Sequence, residues 1–257
     1  MVLKKLLPLI FTFHFYLFAF AQPYSPSETK AFYSWGNQSS VIRKLQYGKR
    51  NDIIMLSLHS NEQTSVEAAK QVLQTTGGLL IILENSGERL ISFVVKGRKY
   101  RIDPNRIFSQ KGMRKNFKEL NKYRSETAIR KIDQFAKFLL RQLPSNIPLI
   151  ALHNNDQRRL SVYSFTKGGS MAKDAEKTSV NRMNDPDDFF LTTDKQVFKF
   201  LKKKNFNVVL QNNKHAEDDG SLSVYYGRHN RSYTNVEAGH GHLQQQVLML
   251  NSLLNNK

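Results

Sequence analysis

The chain has 257 residues, with 39 Lys and Arg against 21 Asp and Glu, for a net charge of +18. It has no cysteine, which excludes disulfides, thiol catalysis and thiolate metal ligands, so any metal must sit on nitrogen and oxygen. Hydrophobic residues make up 40% of the chain, enough for a sizeable core, and the excess charge attracts an anionic neighbour without choosing among polymer, lipid headgroup and acidic small substrate.

Lys4 and Lys5 precede an uncharged run, Leu6 to Ala21, that closes on Ala19-Phe20-Ala21. A basic start, an apolar stretch and small residues at the end form the pattern of a secretory signal peptide over residues 1–21. The run falls short of the ~20 residues of a spanning helix, and no second long apolar run follows. The expectation is a secreted or periplasmic protein without stable membrane insertion, comprising residues 22–257 as a single domain whose charge falls by two when Lys4 and Lys5 leave.

Residues 22–50 are polar and aromatic without a strong period and read as a lead-in. Ile53 to Leu58 is a β-branched-rich apolar run, expected as a buried strand that stops at His59-Ser60-Asn61-Glu62. Thr64 or Ser65 caps a helix through about Leu73, closed by Gly77-Gly78. Leu79–Leu83 and Leu90–Val95 read as paired strands around Asn85-Ser86-Gly87. Ser125 caps a long helix whose apolar face carries Ile129, Ile132, Ala136, Leu139 and Leu143, ended by Pro144 and Pro148. Leu149–Leu152 is a second buried strand, and it too stops at a histidine, His153. Residues 167–186 read as a surface loop, Asp194 opens a helix through Lys203, and Asn207–Leu210 is a strand. Leu222–Tyr226 and Ser232–Val236 read as strands, and Leu243–Leu254 as a closing helix. Buried strands alternating with amphipathic helices predict an α/β fold, a single-domain α/β/α sandwich on a mixed, mostly parallel sheet, with working residues collected where strands end.

Three polar clusters follow apolar strands: His59-Ser60-Asn61-Glu62, His153-Asn154-Asn155 and Glu237-Ala238-Gly239. A catalytic zinc site needs three nitrogen or oxygen ligands and one open position. A His and a Glu three apart in the turn leaving a strand can face one ion, and a second His from a neighbouring strand end completes the set. One zinc ion so held lowers the pKa of water toward ~7 and polarises a carbonyl. A further carboxylate, positioned here as Glu237, is then needed to move the proton to the leaving nitrogen.

Leu58-His59-Ser60-Asn61-Glu62, Arg98 ahead of Asp103-Pro104-Asn105-Arg106-Ile107-Phe108, Leu152-His153-Asn154 and Val236-Glu237-Ala238-Gly239 together resemble motifs of the zinc carboxypeptidases. The similarity is closer to their succinylglutamate desuccinylase and aspartoacylase branch, and it extends over residues 53–240. The resemblance implies a zinc-carboxypeptidase-like fold, with His59, Glu62 and His153 as zinc ligands and Glu237 as general base and acid. It implies that Arg98 polarises the carbonyl and steadies the oxyanion, with Arg101 as its rival, and that Asn105 and Arg106 grip a substrate carboxylate. Pro104 and Ser60 replace the leucine and glycine usual in that branch. The chain also runs only about twenty residues past Glu237. The expectation is an open cleft without the branch's C-terminal β-rich domain, which favours a peptide-like substrate.

The leading expectation is an exported zinc exopeptidase or amidase acting on a carboxylate-bearing peptide, with a cell-wall peptide as one candidate. The alternatives are a deacylase of N-acyl amino acids and a non-catalytic module of the same fold that docks on an anionic cell-wall polymer; nucleic acid is disfavoured by export. His240 and His242 are candidates for a second metal site or for cleft-lining residues. Tyr225, Tyr226 and Tyr233 are candidates for a mobile tyrosine, with core packing as the default. The acidic clusters at Asp185–Asp188 and Glu217–Asp219 lack calcium-loop spacing and read as turns. Lys111–Arg124 and Lys202–Lys204 read as solvated basic faces.

Overall fold

A computed structural model describes residues 22–36, 38–155 and 160–255. The expected signal segment, 1–21, lies outside them. In chain order the elements are β1 (Pro26–Ser34), β2 (Ser39–Tyr47), β3 (Ile54–Ser57), α1 (Gln63–Thr76), β4 (Gly78–Glu84), β5 (Ile91–Val95) and β6 (Arg98–Ile102). They continue as α2 (Gln110–Leu120), α3 (Glu126–Gln142), β7 (Leu149–Asn155), β8 (Ala175–Ser179), β9 (Phe189–Thr192) and α4 (Lys195–Lys203). The last four are β10 (Val208–Gln211), α5 (Leu222–Arg228), β11 (Tyr233–Gly239) and α6 (Leu243–Leu254).

Nine strands form one mixed sheet in the order β1-β2-β4-β3-β7-β11-β9-β10-β8. Its centre is parallel: β4, β3, β7 and β11 all run the same way. These strands are largely buried on both faces, so β3, β4 and the first half of β7 read as continuous apolar runs rather than alternating ones. Alternation survives in where each side chain goes. Ile54, Leu56, Ile81, Leu83, Leu149 and Ala151 pack on one side with the apolar faces of α2 and α3. Met55, Leu80, Ile82, Ile150 and Leu152 pack on the other with α1, α4 and α6. The result is the expected three-layer α/β/α sandwich.

Helix boundaries follow local chemistry. The Ser125 side chain accepts from the Ala128 backbone N–H to cap α3, and Asp194 accepts from Gln196 and Val197 to cap α4. Gly77 ends α1 at φ 71°, a left-handed backbone that glycine takes without a Cβ penalty.

The structure departs from the sequence reading in several elements. Residues 22–50 do not form an irregular lead-in; they hold the β1–β2 antiparallel hairpin. In β2, Ile42 faces one core and Leu45 and Tyr47 the other, which erases a one-sided period of two, while β1 is a largely exposed edge strand. β4 does not pair with β5. It lies between β2 and β3, and β5 instead pairs with β6 across Lys96-Gly97, both at positive φ, as a two-residue hairpin turn requires. In β6 only Tyr100 and Ile102 are buried among exposed Arg98, Lys99 and Arg101, so the strand has no apolar run to announce it. Leu222–Tyr226 is not a strand but the start of α5, capped by the Ser221 hydroxyl accepting from Val224 N–H. The aromatic content suggests a strand, and the serine cap decides for a helix. The loop at 167–186 contains the edge strand β8, and α2 occupies a stretch expected only as a basic face.

A glycine contact locks α2 against the segment before α5. A Cβ on Gly112 would lie 2.0 Å from the Gly220 backbone nitrogen, and a Cβ on Gly220 would lie 2.6 Å from the Arg106 carbonyl oxygen. Backbone cannot retreat as a side-chain tip can. Gly112→Ala is therefore expected to destabilise the fold by about 3 kcal/mol or more, read as a lowered urea midpoint. A shift of under about 1 kcal/mol would show that the two segments separate easily.

Candidate active site

The parallel strands deliver the polar clusters to one end of the sheet. Glu237 on β11 is in register with His153 on β7, on adjacent strands about 4.8 Å apart. Ser57, the last residue of β3, pairs with Leu152, so His59 and Glu62 leave β3 beside His153. His59, Glu62 and His153 are all buried, and each offers a ligand atom within 4.8 Å of the others. Two segments of the chain, residues 59–62 and the end of β7 at 153, thus form one group that could hold a metal ion.

The donor set fits such an ion. His59 Nε2 lies 2.9 Å from Asp103 Oδ1. With that nitrogen donating, the Nδ1 lone pair faces Glu62 Oε1 at 2.9 Å, without hydrogen-bond geometry and with no other partner. A lone pair and a carboxylate oxygen facing each other in a buried site need a proton or a cation between them. His153 Nδ1 reaches the second Glu62 oxygen at 3.0 Å. A carboxylate behind a histidine fixes its ring and tautomer, and Asp103 is placed to do so for His59. Burial opposes a charge on His59, but attraction to Glu62 and the Asp103 contact outweigh it and raise the imidazole to about 8. Burial likewise works against ionised Glu62 and Asp103, yet their imidazole partners hold both carboxyls far below the usual range.

A cleft of about 240 Å³ opens in front of this group, lined by Asn61, Glu62, Arg89, His153, Asn154, Asn155, Leu160, Glu237 and His240. Glu237 is buried, and one of its oxygens accepts from Asn235 Nδ2 at 2.9 Å. Burial raises its pKa, and the Glu62 charge pushes the same way against the pull of His153. A raised pKa is the direction that proton transfer near neutral pH would require of a carboxyl.

The arginine beside this group is Arg89, not Arg98. Arg89 Nη1 donates to Glu62 Oε1 at 2.6 Å, and its Nη2 lies 3.6 Å from Asp103 Oδ2. Arg98 is exposed, its guanidinium 4.7 Å over the Tyr123 ring, and it does not line the cleft. The register of the β5–β6 hairpin explains the exchange. Ile91 pairs with Ile102 at the open end, next to Asp103, whereas Arg98 pairs with Val95 at the turn. Five extended residues put Arg98 about 16 Å from Asp103 along the strand. Its rival Arg101 is also exposed and lines a different surface cleft. No motif points to Arg89; only the hairpin register brings it in.

Asn105 and Arg106 do not line the cleft either. Asn105 Oδ1 accepts from Leu222 N–H at 3.0 Å and thereby holds α5. Arg106 donates to the Asn105 carbonyl at 2.8 Å and faces Asp219 at 3.6 Å, so gripping a substrate carboxylate requires giving up that ion pair. Of the tyrosines, Tyr226 and Tyr233 are core residues, and the Tyr225 ring lies tilted against His229 at 4.2 Å. His240 lines the cleft, while His242 turns away to Asp188 at 3.3 Å; Asp188 also accepts from Gly239 N–H and pins the end of β11. Asp185, Asp188 and His242 bring ligand-type atoms together, with Asp185 and His242 exposed. Glu217, Asp218 and Asp219 are met by Lys115, Arg228 and Arg106, which makes them ion-paired turns.

No family profile matches the sequence, and no curated protein matches it. Solved structures similar to this chain include a provisionally assigned metallopeptidase from Shewanella amazonensis, at 12% identity and a TM-score of 0.40 over 88% of this chain and 85% of that one. An aspartoacylase family protein from Mesorhizobium loti aligns at 14% identity and a TM-score of 0.46 over 90% of this chain and 67% of that one. A provisionally assigned carboxypeptidase from Burkholderia mallei aligns at 9% identity and a TM-score of 0.43, covering 91% and 64%. The class defined by the chain's own residues is an α/β/α sandwich with a buried His-Glu-His group, and an acid beside it, at the ends of parallel strands.

Proposed function

We propose that this protein is an exported zinc-dependent hydrolase of an amide or peptide bond, an exopeptidase or amidase acting on a carboxylate-bearing peptide. The observation that carries the reading is the convergence of His59, Glu62 and His153 behind a cleft that also holds Glu237 and Arg89. The basic and apolar pattern of residues 1–21 supports export.

A zinc ion on His59, Glu62 and His153 would supply an activated water and polarise the scissile carbonyl. The chain's residues do the rest. Asp103 keeps the His59 ring oriented for ligation. Glu237 takes the proton from the attacking water and returns it to the leaving nitrogen, a task suited to a raised carboxyl. Were Glu62 to hold the ion, its carboxylate would have less charge to offer Arg89, whose guanidinium would then be free to meet the developing oxyanion. Arg106 takes a free substrate carboxylate by exchanging its 3.6 Å pairing with Asp219.

The test combines metal content with a substrate panel. Purified protein is expected to carry about one zinc per chain and to hydrolyse peptides with a free C-terminus faster than their amidated forms and faster than N-acyl amino acids. Metal-free protein inactive on every amide, even after zinc is supplied, overturns the reading. Preference for N-acyl amino acids replaces the peptidase with a deacylase.

A further inference from the structure

The two edges of the nine-stranded sheet are built differently. β8 is short, and its pairing with β10 is broken by a register shift at Leu210 and Gln211. An irregular edge of this kind resists further pairing. β1 instead holds nine residues in unbroken register with β2, and seven of them are exposed. Ala31 and Tyr33 pack against the core, and the Tyr33 hydroxyl donates to the Lys131 carbonyl at 2.8 Å. The strand is therefore formed in advance, and pairing along it costs little ordering of the backbone.

The phase of the ladder tells which backbone groups face outward. Trp35 N–H donates to the Gln38 carbonyl at 2.9 Å, which makes these two a hydrogen-bonded pair at the end of the β1–β2 hairpin. Bonded and non-bonded pairs alternate along an antiparallel ladder. Tyr33, Ala31, Thr29 and Ser27 thus bond to β2, whereas Phe32, Lys30 and Glu28 turn their N–H and C=O groups away from it. The side chains of these last three share one face of the strand.

We propose that β1 pairs antiparallel with β1 of a second copy of this chain, about a two-fold axis at Thr29, to make one sheet through both subunits. That axis sets Glu28 against Lys30 of the second copy, and Lys30 against its Glu28. Each such pair exchanges both outward backbone bonds, and Phe32 N–H meets the Pro26 carbonyl across the axis. Pro26 lacks an N–H and gives up one donor at the end of the ladder. The charges suit the arrangement. Lys30 has Glu28 of its own strand at 2.9 Å and stands opposite Arg43 on β2, which Glu84 holds. A second copy gives Lys30 an acid directly across the strand. Moving the axis to Glu28 or Lys30 sets like charges face to face, and moving it to Ala31 leaves Glu28 and Lys30 opposite Ser34 and Phe32. The edge is self-complementary in one register, which is what an isologous interface requires and what selects a second copy over an unrelated strand. β2 and β4 separate β1 from β3, so the joint stays clear of the cleft. The axis reverses every strand, and the two clefts open in opposite directions.

The test is sedimentation velocity on the purified protein over a concentration series at an ionic strength of about 0.15 M. A strand edge is small beside a standard interface, so the wild type is expected to dimerise with a Kd on the order of 10–100 μM. Glu28→Lys and Lys30→Glu are each expected to weaken the dimer at least about tenfold, because each sets like charges opposite one another on both sides of the axis. An equimolar mixture of these two variants is expected to form a heterodimer near wild-type affinity. Lys30→Pro removes an outward donor that β2 does not use and is expected to abolish the dimer with a melting temperature near that of wild type. A wild type that stays monomeric up to about 1 mM overturns the second copy as the occupant of this edge. A dimer indifferent to Lys30→Pro, or a mixture that fails to associate, overturns the edge and its register. Should Lys30→Pro fail to fold, the mixture decides alone.

Discussion

Glu237→Gln is expected to lower kcat/KM for amide hydrolysis by about 10²–10⁴-fold, the range of a lost general acid and base, while metal content stays at the wild-type level. Glutamine keeps the size of the side chain and its contact with Asn235, but it cannot take a proton at ordinary pH. The buried position sharpens the result, because Glu237 lies on a central strand and the isosteric change leaves its surroundings alone. Parallel measurements of zinc and of steady-state kinetics separate the two roles open to a carboxylate here. Zinc lost together with activity would make Glu237 a ligand. Activity retained with zinc bound would remove it from the reaction.

The second large effect distinguishes two arginines. Arg89→Ala is expected to reduce kcat by about 10²–10³-fold, as removal of a donor aimed at an oxyanion does, with a smaller change in KM. Arg98→Ala is expected to stay within about twofold of wild type, because its guanidinium lies on Tyr123 at the turn end of the hairpin. The order of the two effects is the measurement that matters. If Arg98→Ala is the damaging change and Arg89→Ala the mild one, the hairpin must rearrange on substrate binding, and the motif-based assignment of Arg98 is restored. Arg89 also touches Glu62, so metal content is read for both variants.

Much of the framework was legible because the chain is locally consistent. Ser125 and Asp194 cap the helices they were expected to cap, and the apolar runs after Ile53 and Leu149 become the central strands. What escaped lacks a decisive local signature. β1 is paired through its backbone while most of its side chains face solvent, β6 buries only Tyr100 and Ile102, and α5 carries aromatic residues that suit a strand equally well. In each case the decision came from a partner element or a single cap, which periodicity does not report.

The sequence by itself determined the kinds of ligand available, nitrogen and oxygen without sulfur, and the appearance of His59, Glu62, His153 and Glu237 at the ends of apolar runs. Those features are local, set by composition and by the reversal of polarity where a strand leaves the core. Only the tertiary structure decided which cation joins them. Hairpin register is a long-range property, and it carries Arg89 to Glu62 and Asp103 while holding Arg98 at the far end of an extended strand. It also decided what stands behind His59, because Asp103, 44 positions along the chain, reaches that ring only once the intervening segment has folded back across the sheet end.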